Sequence, residues 1–462
     1  MTRPIFYKLT LLLAMLAGAN AYAGDGLSRL KAFARNVQVF NRVFPQEKVY
    51  LHLDNNGYFI GERLWYKAYV TRTDKDTLEA VSTVLYVDLV GPLGETVLHQ
   101  RLKIENGTCH GDFPLDALLT SGFYEIRAYT RYNANWKSGG TFSRVVPIFE
   151  KPKKEGDYSQ KIIKAIYDPA LQEDSVKRRK KWKTTYSARK AVPTVRFFPE
   201  GGLSVKGLAG RIAFETAFPD SAEYNTEAAI YNNAGQEVCR TKTLREGRGV
   251  FLCTPEDSAM TMKVEYNGNT LHFKLPQPAD TGCVMTVNTT AQEVMVQVEA
   301  SQNIYGKLLG ITLMHNGDVA FFDTLRTGKE PFTMSFERGE LPAGVSQLTL
   351  FDENGRIWAE RLFFTPPSND KGDEERVRVE FADSTSAPYD RKKLLIHGSP
   401  QANVSLAVRD ADTETSAYGG NVSTYLLLSS ELKGYVRNPE YYFEKDDAEH
   451  RIAADLLCMV QG

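Results

Sequence analysis

Residues 47–70 read EKVYLHLDNNGYFIGERLWYKAYV, and this stretch alternates apolar and polar side chains on both sides of an Asn-Asn-Gly turn. Successive side chains of a β-strand point to opposite faces, so Val49, Leu51 and Leu53 share one face of an extended segment. Residues 65–70 have the same period. Similar runs, separated by Gly, Asn and Pro, follow at 84–90, 96–104 and 123–132. Short strands between such turns predict an antiparallel β-sandwich.

A turn motif that ends in Gly recurs downstream of this stretch. It is found at 89–95 (LVGPLGE), 231–236 (YNNAGQ) and 351–356 (FDENGR), each time between two apolar runs. Gly tolerates the positive φ that tight hairpins require. We therefore expect a mainly β fold of tandem antiparallel β-sandwiches, with a short N-terminal helix and a C-terminal helix. The predicted sandwiches cover residues 45–150, 193–276 and 277–367, and a partial sandwich with the terminal helix covers 376–462.

Two stretches have the period of an amphipathic helix. In residues 24–44, apolar side chains recur at spacings of three and four, which predicts a helix of about four or five turns. Its apolar face either packs on the next domain or binds a partner. Near the end of the sequence, Ile452, Leu456 and Val460 recur at every fourth position and predict a second helix.

A basic stretch separates the first two predicted sandwiches. Residues 151–192 are predicted to be a linker, and residues 151–190 carry 13 Lys and Arg against 5 Asp and Glu. Such a run is typical of a solvated linker helix, and contact with nucleic acid or an anionic surface is the alternative. Because the whole chain has 56 basic and 57 acidic residues, we expect no nucleic-acid partner.

The first 23 residues have the features of a signal peptide. Arg3 and Lys8 are basic, residues 9–17 form an apolar run, and Ala21-Tyr22-Ala23 offers a cleavage site after Ala23. The apolar run has about nine residues, whereas a membrane-spanning helix needs about 20. We therefore expect export to the periplasm or the outer membrane, and no transmembrane segment in the mature chain.

The composition excludes a small disulfide-dense scaffold. The chain has 462 residues, of which 42% are hydrophobic and only five are cysteines, so it can form several cores. Cys239 and Cys253 flank a predicted hairpin and can face each other on neighbouring strands. In an exported protein they form either a disulfide or two buried free thiols.

No catalytic motif is present in the sequence. It contains no His-Glu-x-x-His, no zinc-ribbon cysteine pairs, no Gly-x-Ser-x-Gly elbow, no phosphate-binding loop and no dinucleotide fingerprint. Asp54 and Glu62 bracket one turn, where they either bridge a calcium ion or face water as charged turn residues usually do. We expect a protein that is not an enzyme and that has no cofactor and no metal.

Aromatic residues between 122 and 136 (GFYEIRAYTRYNANW) form one candidate binding strip. Tyr124, Tyr132 and Trp136 lie on or just after one predicted strand, and the two tyrosines share strand parity. Such a strip can stack on sugar rings, so a glycan is a candidate ligand. Packing in a sandwich core is the commoner use of aromatic side chains and is the alternative.

The stretch 47–70 resembles the start of the macroglobulin-like domain of alpha-macroglobulins, and it is most similar to cell-envelope proteins of the Bacteroidetes that carry this domain. The matching residues are Glu47, Val49, Tyr50, His52, Asp54, Tyr58, Gly61, Glu62, Trp65, Tyr66, Lys67 and Ala68. Asn55-Asn56-Gly57 departs from the family, in which a basic residue and Pro are common in this turn. Further similarity to the family is found at 122–136, 196–217, 427–443 and 455–462.

The resemblance implies tandem macroglobulin-like or fibronectin-like sandwiches in the periplasm or at the outer membrane. Family members continue beyond the last helix into further β domains, so this sequence is expected to lack the family's C-terminal part. Protease-trapping macroglobulins carry a thioester in a Cys-Gly-Glu-Gln motif. No cysteine here begins that motif, so covalent trapping is not expected.

The expected function is that of a non-catalytic exported envelope protein that presents tandem macroglobulin-like domains for protein–protein interaction. The expected partner is another envelope protein. One alternative is a carbohydrate- or nutrient-binding accessory of TonB-linked outer-membrane uptake. The other is a non-covalent endopeptidase inhibitor without a thioester.

Overall fold

The computed structural model describes residues 26–74, 77–116, 119–136, 141–151, 154, 193–218, 226–256, 260–367, 377–382, 387, 389–398, 402–409 and 420–462. The predicted signal peptide, with cleavage after Ala23, lies outside the described residues. So does the predicted linker at 151–192, apart from residues 151 and 154.

The first sandwich contains eight strands. They are β1 (Glu47–Leu53), β2 (Tyr58–Phe59), β3 (Arg63–Arg72), β4 (Val84–Val90), β5 (Thr96–Lys103), β6 (Thr108–Pro114), β7 (Gly122–Tyr129) and β8 (Phe142–Phe149). One sheet has the order β1-β3-β6 and the other β2-β8-β7-β4-β5. The alternation in residues 47–70 places Leu51 and Leu64 in the core between the sheets, where both are fully buried together with Ile126.

The second sandwich contains seven strands. They are β9 (Thr194–Pro199), β10 (Gly210–Ala217), β11 (Glu227–Tyr231), β12 (Glu237–Arg245), β13 (Arg248–Cys253), β14 (Thr261–Tyr266) and β15 (Asn269–Lys274). They form one continuous sheet in the order β15-β14-β11-β12-β13-β10-β9. β12 pairs with β11 along its length and with β13 at its end, where Thr243 lies opposite Gly249. The sheet thereby closes on a core that includes Phe214 and Ile230.

The third sandwich also contains seven strands. They are β16 (Cys283–Thr289), β17 (Glu293–Ala300), β18 (Leu308–His315), β19 (Asp318–Arg326), β20 (Phe332–Glu337), β21 (Gly344–Asp352) and β22 (Ile357–Thr365). One sheet has the order β16-β17-β20 and the other β19-β18-β21-β22. Val287, Val296 and Leu309 are fully buried between them.

All three sandwiches have the same strand order. If the two-residue β2 is left aside, each is built from seven strands in sequence. The first, second and fifth strands pair in one group, and the other group has the order fourth, third, sixth, seventh; in the second sandwich, pairing of the fourth and fifth strands joins the two groups into one sheet. This arrangement confirms the prediction of tandem antiparallel β-sandwiches.

The recurring Gly turn occupies equivalent positions in only two of the sandwiches. Gly94 and Gly235 lie between the third and fourth strands, with φ values of 86° and 76°. Gly355, with φ 78°, lies between the sixth and seventh strands instead. In the third sandwich, Asn316 and Gly317 form the equivalent turn, with φ values of 50° and 80°. Both kinds of hairpin need a residue with positive φ, so the motif marks a tight turn and not a fixed place in the repeat.

The N-terminal helix α1 (Gly26–Val43) packs mainly on the third sandwich. Leu30 is fully buried, Phe33 meets the ring of Phe351 at 6.1 Å, and Gln38 Nε2 donates to the carbonyl of Val319 at 3.2 Å. The sequence predicts packing on the next domain, and Phe40 does contact Trp136 of the first sandwich, but most of the helix packs on a domain more than 200 residues away. Periodicity defines an apolar face and does not define what covers it.

The predicted partial sandwich at 376–462 contains, in the described part of that range, one two-stranded ribbon and three α-helices. β23 (Arg378–Phe381) pairs antiparallel with β24 (Leu394–His397). Residues 402–409 are described but belong to no described sheet. The helices are α2 (Val422–Leu427), α3 (Tyr441–Glu444) and α4 (Ala448–Gln461).

Helix α4 lies between the second and third sandwiches. Leu456 packs against Ala213 of β10, and Leu457 packs in a cluster with Phe364 of β22. Ile452, which the spacing places on the same face, is 48% exposed. None of the described helices is both long enough and apolar enough to cross a membrane.

Candidate interaction surface

Lys48 on β1 connects three parts of the molecule. Its side chain is 8% exposed, and its Nζ lies 2.6 Å from Glu431 Oε1. It also donates to Asn316 Oδ1 at 3.0 Å and to the carbonyl of Leu426 at 2.8 Å. Asn316 belongs to the β18–β19 turn, and the other two residues belong to the C-terminal segment. Lys48 therefore fixes the first sandwich against the third sandwich and against residues 420–462.

Glu200 lies at the centre of the contact between the second and third sandwiches. It follows β9, and its side chain is fully buried. It accepts hydrogen bonds from Arg211 Nε at 2.6 Å, from Arg361 Nε at 3.1 Å and from the backbone amide of Val287 at 3.0 Å. Both arginines also pair with Asp455 of α4. Two cations and two anions are thus balanced inside the interface.

The pKa of Glu200 is lowered, which means that its surroundings stabilise the negatively charged carboxylate. Burial alone would raise this pKa, because a carboxylate loses its hydration. The hydrogen bond from Arg211 and the charge of Arg361 outweigh burial and hold the pKa below its ordinary value. Glu200 is therefore ionised at neutral pH, and the four-residue network holds the second and third sandwiches in a fixed arrangement.

The three residues of the predicted aromatic strip lie in different surroundings. Tyr124 is 2% exposed, and its hydroxyl donates to the carbonyl of Thr120 at 2.7 Å. A tyrosine near the start of the sixth strand that bonds to the backbone upstream is the tyrosine corner of sandwich folds. Trp136 packs edge-on against Tyr132 at 6.3 Å and against Phe40 of α1 at 5.7 Å. The three side chains do not form one open surface, because Tyr124 lies in the core.

Cys239 and Cys253 both contribute to the core of the second sandwich. The structure has them as free thiols, with Cys239 half-buried and Cys253 4% exposed. Burial, and then the nearby Cys239, raises the pKa of Cys253 to about 12. A buried, protonated thiol reacts slowly. The disulfide between Cys239 and Cys253 stays a prediction, which chemical labelling of the thiols can test.

Asp54 and Glu62 bond to their own turn. Asp54 Oδ1 accepts from Tyr58 Oη at 2.6 Å and from the amide of Trp65 at 3.0 Å. Glu62 Oε2 accepts from the amide of Phe59 at 2.7 Å. Across the described ranges, no group of three or more His, Cys, Asp or Glu side chains could hold a metal ion.

An apolar surface lies on the ribbon of β23 and β24. Val379 lies opposite Ile396, and Phe381 lies opposite Leu394. Residues directly opposite each other on paired strands point to the same face, so these four side chains form one face, which we call the ribbon face. Val379, Phe381 and Ile396 are 52%, 68% and 44% exposed. The other face carries Arg378, Glu380, Leu395 and His397.

Within the described part of the chain, nothing covers the ribbon face, in contrast to the equivalent face of the third sandwich. The first two strands of the third sandwich pair in the same antiparallel way, and Met285, Val287, Val296 and Val298 are at most 3% exposed there. The four-stranded sheet of the same sandwich covers them. The sequence predicts strands at 377–381, 393–397 and 404–409. The first two are confirmed, whereas residues 404–409 form no strand, because they are held on the first sandwich through polar side chains and not in a ladder. Alternation alone does not show whether an apolar strand face is covered.

A second apolar row lies on residues 402–409, which run over the outer side of the first sandwich. Ser405 Oγ lies 2.5 Å from His52 Nδ1 and accepts a hydrogen bond from Tyr69 Oη at 2.8 Å. The segment is therefore held through polar groups. Alternate apolar side chains point outward, namely Val404, Leu406 and Val408, which are 43%, 57% and 79% exposed.

The strand order defines an array of three seven-stranded β-sandwiches. No protein-family model and no curated protein matches the chain. A Salmonella alpha-2-macroglobulin reacted with methylamine is 13% identical, with 77% of this chain and 25% of that chain covered and a TM-score of 0.20. The native conformation of Escherichia coli alpha-2-macroglobulin is 12% identical, with 76% and 25% covered and a TM-score of 0.20.

A tetra-tandem repeat from the extending region of a large adhesion protein is 13% identical, with 77% of this chain and 88% of that chain covered and a TM-score of 0.18. The chain spans about a quarter of the length of the macroglobulin structures that it matches. Because TM-scores near 0.2 carry no structural argument, the fold class rests on the strand order of the chain itself.

Proposed function

We propose that this chain is a non-catalytic, exported envelope protein that binds another envelope protein through the ribbon face. The observation that carries the proposal is the uncovered apolar face formed by Val379, Phe381, Leu394 and Ile396. Soluble monomers rarely expose contiguous apolar surface unless it binds something. The periplasm or the outer-membrane surface is the proposed location, in keeping with the signal-peptide features of residues 1–23.

The shape of the ribbon face favours a β-rich partner. In the third sandwich, the face formed by the first two strands is covered by a sheet that contributes Leu309, Ile311 and Leu348 to the core. A partner that contributes such a sheet, or a strand of it, would bury the ribbon face in the same way. The charged residues on the back of the ribbon would stay in water.

The three sandwiches are joined through buried charges. Lys48 and Glu200 each join elements that belong to different sandwiches. These junctions fix the described sandwiches relative to one another.

Site-specific photocrosslinking in the native envelope tests the proposal. A benzophenone amino acid replaces Phe381 on the ribbon face, and the matched control replaces Glu380, the adjacent residue on the opposite face. We expect a discrete crosslinked product with an envelope protein from position 381 and none from position 380. Equal products from both positions, products from neither, or a product with twice the mass of this chain would contradict the proposal.

Export is tested separately. The protein is recovered from the envelope fraction of cells that express the full sequence, and its N-terminus is sequenced. We expect the mature chain to begin at Gly24. A chain that stays in the cytoplasm with Met1 in place would contradict the proposed location.

A further inference from the structure

A cleft of about 370 Å³ lies between the first sandwich and the C-terminal segment. One wall is the start of β8, and the other wall is formed by α2 and by residues 429–439. The volume is within the range of small-molecule sites, which hold ligands of sugar or amino-acid size at its lower end. Neither the ribbon face nor residues 402–409 contribute to this cleft.

Among the described residues that line the cleft, Arg144 is the only one with a charged side chain. Its guanidinium group lies against the rings of Tyr50 and Phe142, 5.8 Å and 5.6 Å from their centroids, and its Nη2 donates to the carbonyl of Gly420 at 3.1 Å. In the part of the chain that the structure describes, no carboxylate forms an ion pair with it. Among the described residues, no ion pair therefore compensates the positive charge of Arg144.

The acidic residues next to the cleft are directed to other groups. Glu125 accepts a hydrogen bond from Ser143 of the cleft wall, but its carboxylate pairs with Arg127 at 2.6 Å. Glu431 pairs with Lys48. At the rim, Glu440 is exposed and contacts the side-chain amide of Asn421 at 3.4 Å. None of these three carboxylates neutralises the guanidinium group.

The charge of Arg144 acts on its surroundings. It contributes to lowering the pKa of His52, after the larger effect of burial, because it disfavours a second positive charge nearby. A planar guanidinium group with free donors matches a carboxylate, which it can hold with two parallel hydrogen bonds. Packing on two aromatic rings fixes the plane of the group and leaves less freedom to lose on binding.

The remaining lining is uncharged and rich in hydroxyl groups. Thr141 and Ser429 line the cleft together with Tyr425 and with Tyr435, which is 53% exposed, whereas the hydroxyl of Ser143 donates to Glu125. Hydroxyl groups and tyrosine rings are the partners that sugar hydroxyls and sugar faces require. We infer that this cleft binds a small ligand that combines a carboxylate with several hydroxyl groups, such as a uronic acid, and that Arg144 holds the carboxylate.

Isothermal titration with sodium glucuronate tests the inference, and glucose is the uncharged comparison ligand. We expect glucuronate to bind the full mature chain with a dissociation constant in the millimolar range or below, and glucose to bind at least about tenfold more weakly. Arg144→Gln is expected to weaken glucuronate binding by at least about tenfold, because it removes a charge-assisted contact. Arg144→Lys keeps the positive charge without the planar guanidinium fork, so its affinity for glucuronate is expected to lie between those of the unmodified protein and Arg144→Gln.

Arg101→Gln is the matched control variant. Arg101 is an exposed arginine on β5, which is one edge strand of the sheet, whereas β8 lies next to the other edge. The Arg101→Gln substitution is therefore expected to leave glucuronate affinity unchanged. Thermal unfolding of each variant shows whether the fold is kept. Three results would overturn the inference: no heat with glucuronate up to about 10 mM, equal affinity for glucose and glucuronate, or unchanged glucuronate affinity in folded Arg144→Gln. The ribbon face contributes no residue to the cleft, so the result of crosslinking from position 381 does not depend on whether the cleft binds glucuronate.

Discussion

Replacing Glu200 by alanine is expected to weaken the contact between the second and third sandwiches. The substitution removes the acceptor of the hydrogen bonds from Arg211, Arg361 and the amide of Val287. The guanidinium groups of buried Arg361 and half-buried Arg211 then share one carboxylate, that of Asp455. Breaking a buried ion pair from one side costs about 3–5 kcal/mol when the charge left behind is neither paired nor hydrated, and the remaining pairing with Asp455 keeps the cost near the lower end of this range. We expect the free energy of unfolding to fall by about that amount.

Urea-induced unfolding, followed by tryptophan fluorescence, measures this change. Trp358 is 4% exposed in the third sandwich and reports on its unfolding. Glu237→Ala is the control, since Glu237 also pairs with an arginine of its own sandwich, Arg240, but on the surface. Exposed ion pairs contribute little, so this variant should unfold almost as the unmodified protein does. The argument from burial would be refuted if both variants lowered the free energy of unfolding equally, or if Glu200→Ala lowered it by less than about 1 kcal/mol.

The pH dependence of the Glu200 effect has a definite sign. Its folded pKa lies below the unfolded value, so the ionised carboxylate stabilises the native state above the ordinary pKa of about 4.3. That contribution is lost as the pH falls through the folded pKa. The difference between the unmodified protein and Glu200→Ala should be constant from about pH 8 to about pH 5 and should shrink in stronger acid. A difference that grows on acidification would contradict this assignment.

Three further predictions concern other buried groups. Lys48→Met keeps the aliphatic stem but leaves Glu431 without its cation, so it should lower the free energy of unfolding by about 2–3 kcal/mol in the same urea titration. Hydrogen exchange in residues 420–431 should become faster. Unchanged exchange in these residues would contradict the role of Lys48 in connecting the C-terminal segment to the first sandwich. Tyr124→Phe removes the bond to Thr120 and should cost about 1–2 kcal/mol while the far-ultraviolet circular dichroism stays the same. Cys253, with its pKa raised to about 12, should react slowly with a thiol reagent at pH 8 when native and rapidly in urea; no reaction in urea until a reductant is added would reveal a disulfide.

Much of the fold is predictable because it depends on local patterns. The alternation in residues 47–70 places Leu51 and Leu64 correctly in the core. The turn glycines Gly94 and Gly235 are placed correctly because a positive φ is a local requirement. Period and turn chemistry act over a few residues, so a single sequence contains the information that they need.

The candidate sites depend on contacts between distant residues, which no local pattern reveals. Strand parity allows Tyr124 to face either a ligand or the core, and only the strand that covers it decides the outcome. Lys48 has the same local sequence whether it meets solvent or the carboxylate of Glu431. Arg144 is the one charged residue of β8, and its proposed role depends on the lack of a carboxylate among the described residues that line the cleft, which is a property of the assembled array.

The position of Lys48 and its partners in the sequence has a consequence for synthesis. Lys48 and Leu426 are 378 residues apart, so at common rates of translation roughly 20 to 75 s pass between the appearance of the two. Each sandwich has its own core and can fold soon after its seventh strand emerges. The charged groups of the interfaces must then stay hydrated until residues 420–462 arrive. The array is therefore completed by a docking step of folded sandwiches that cannot take place before residues 420–462 have been made.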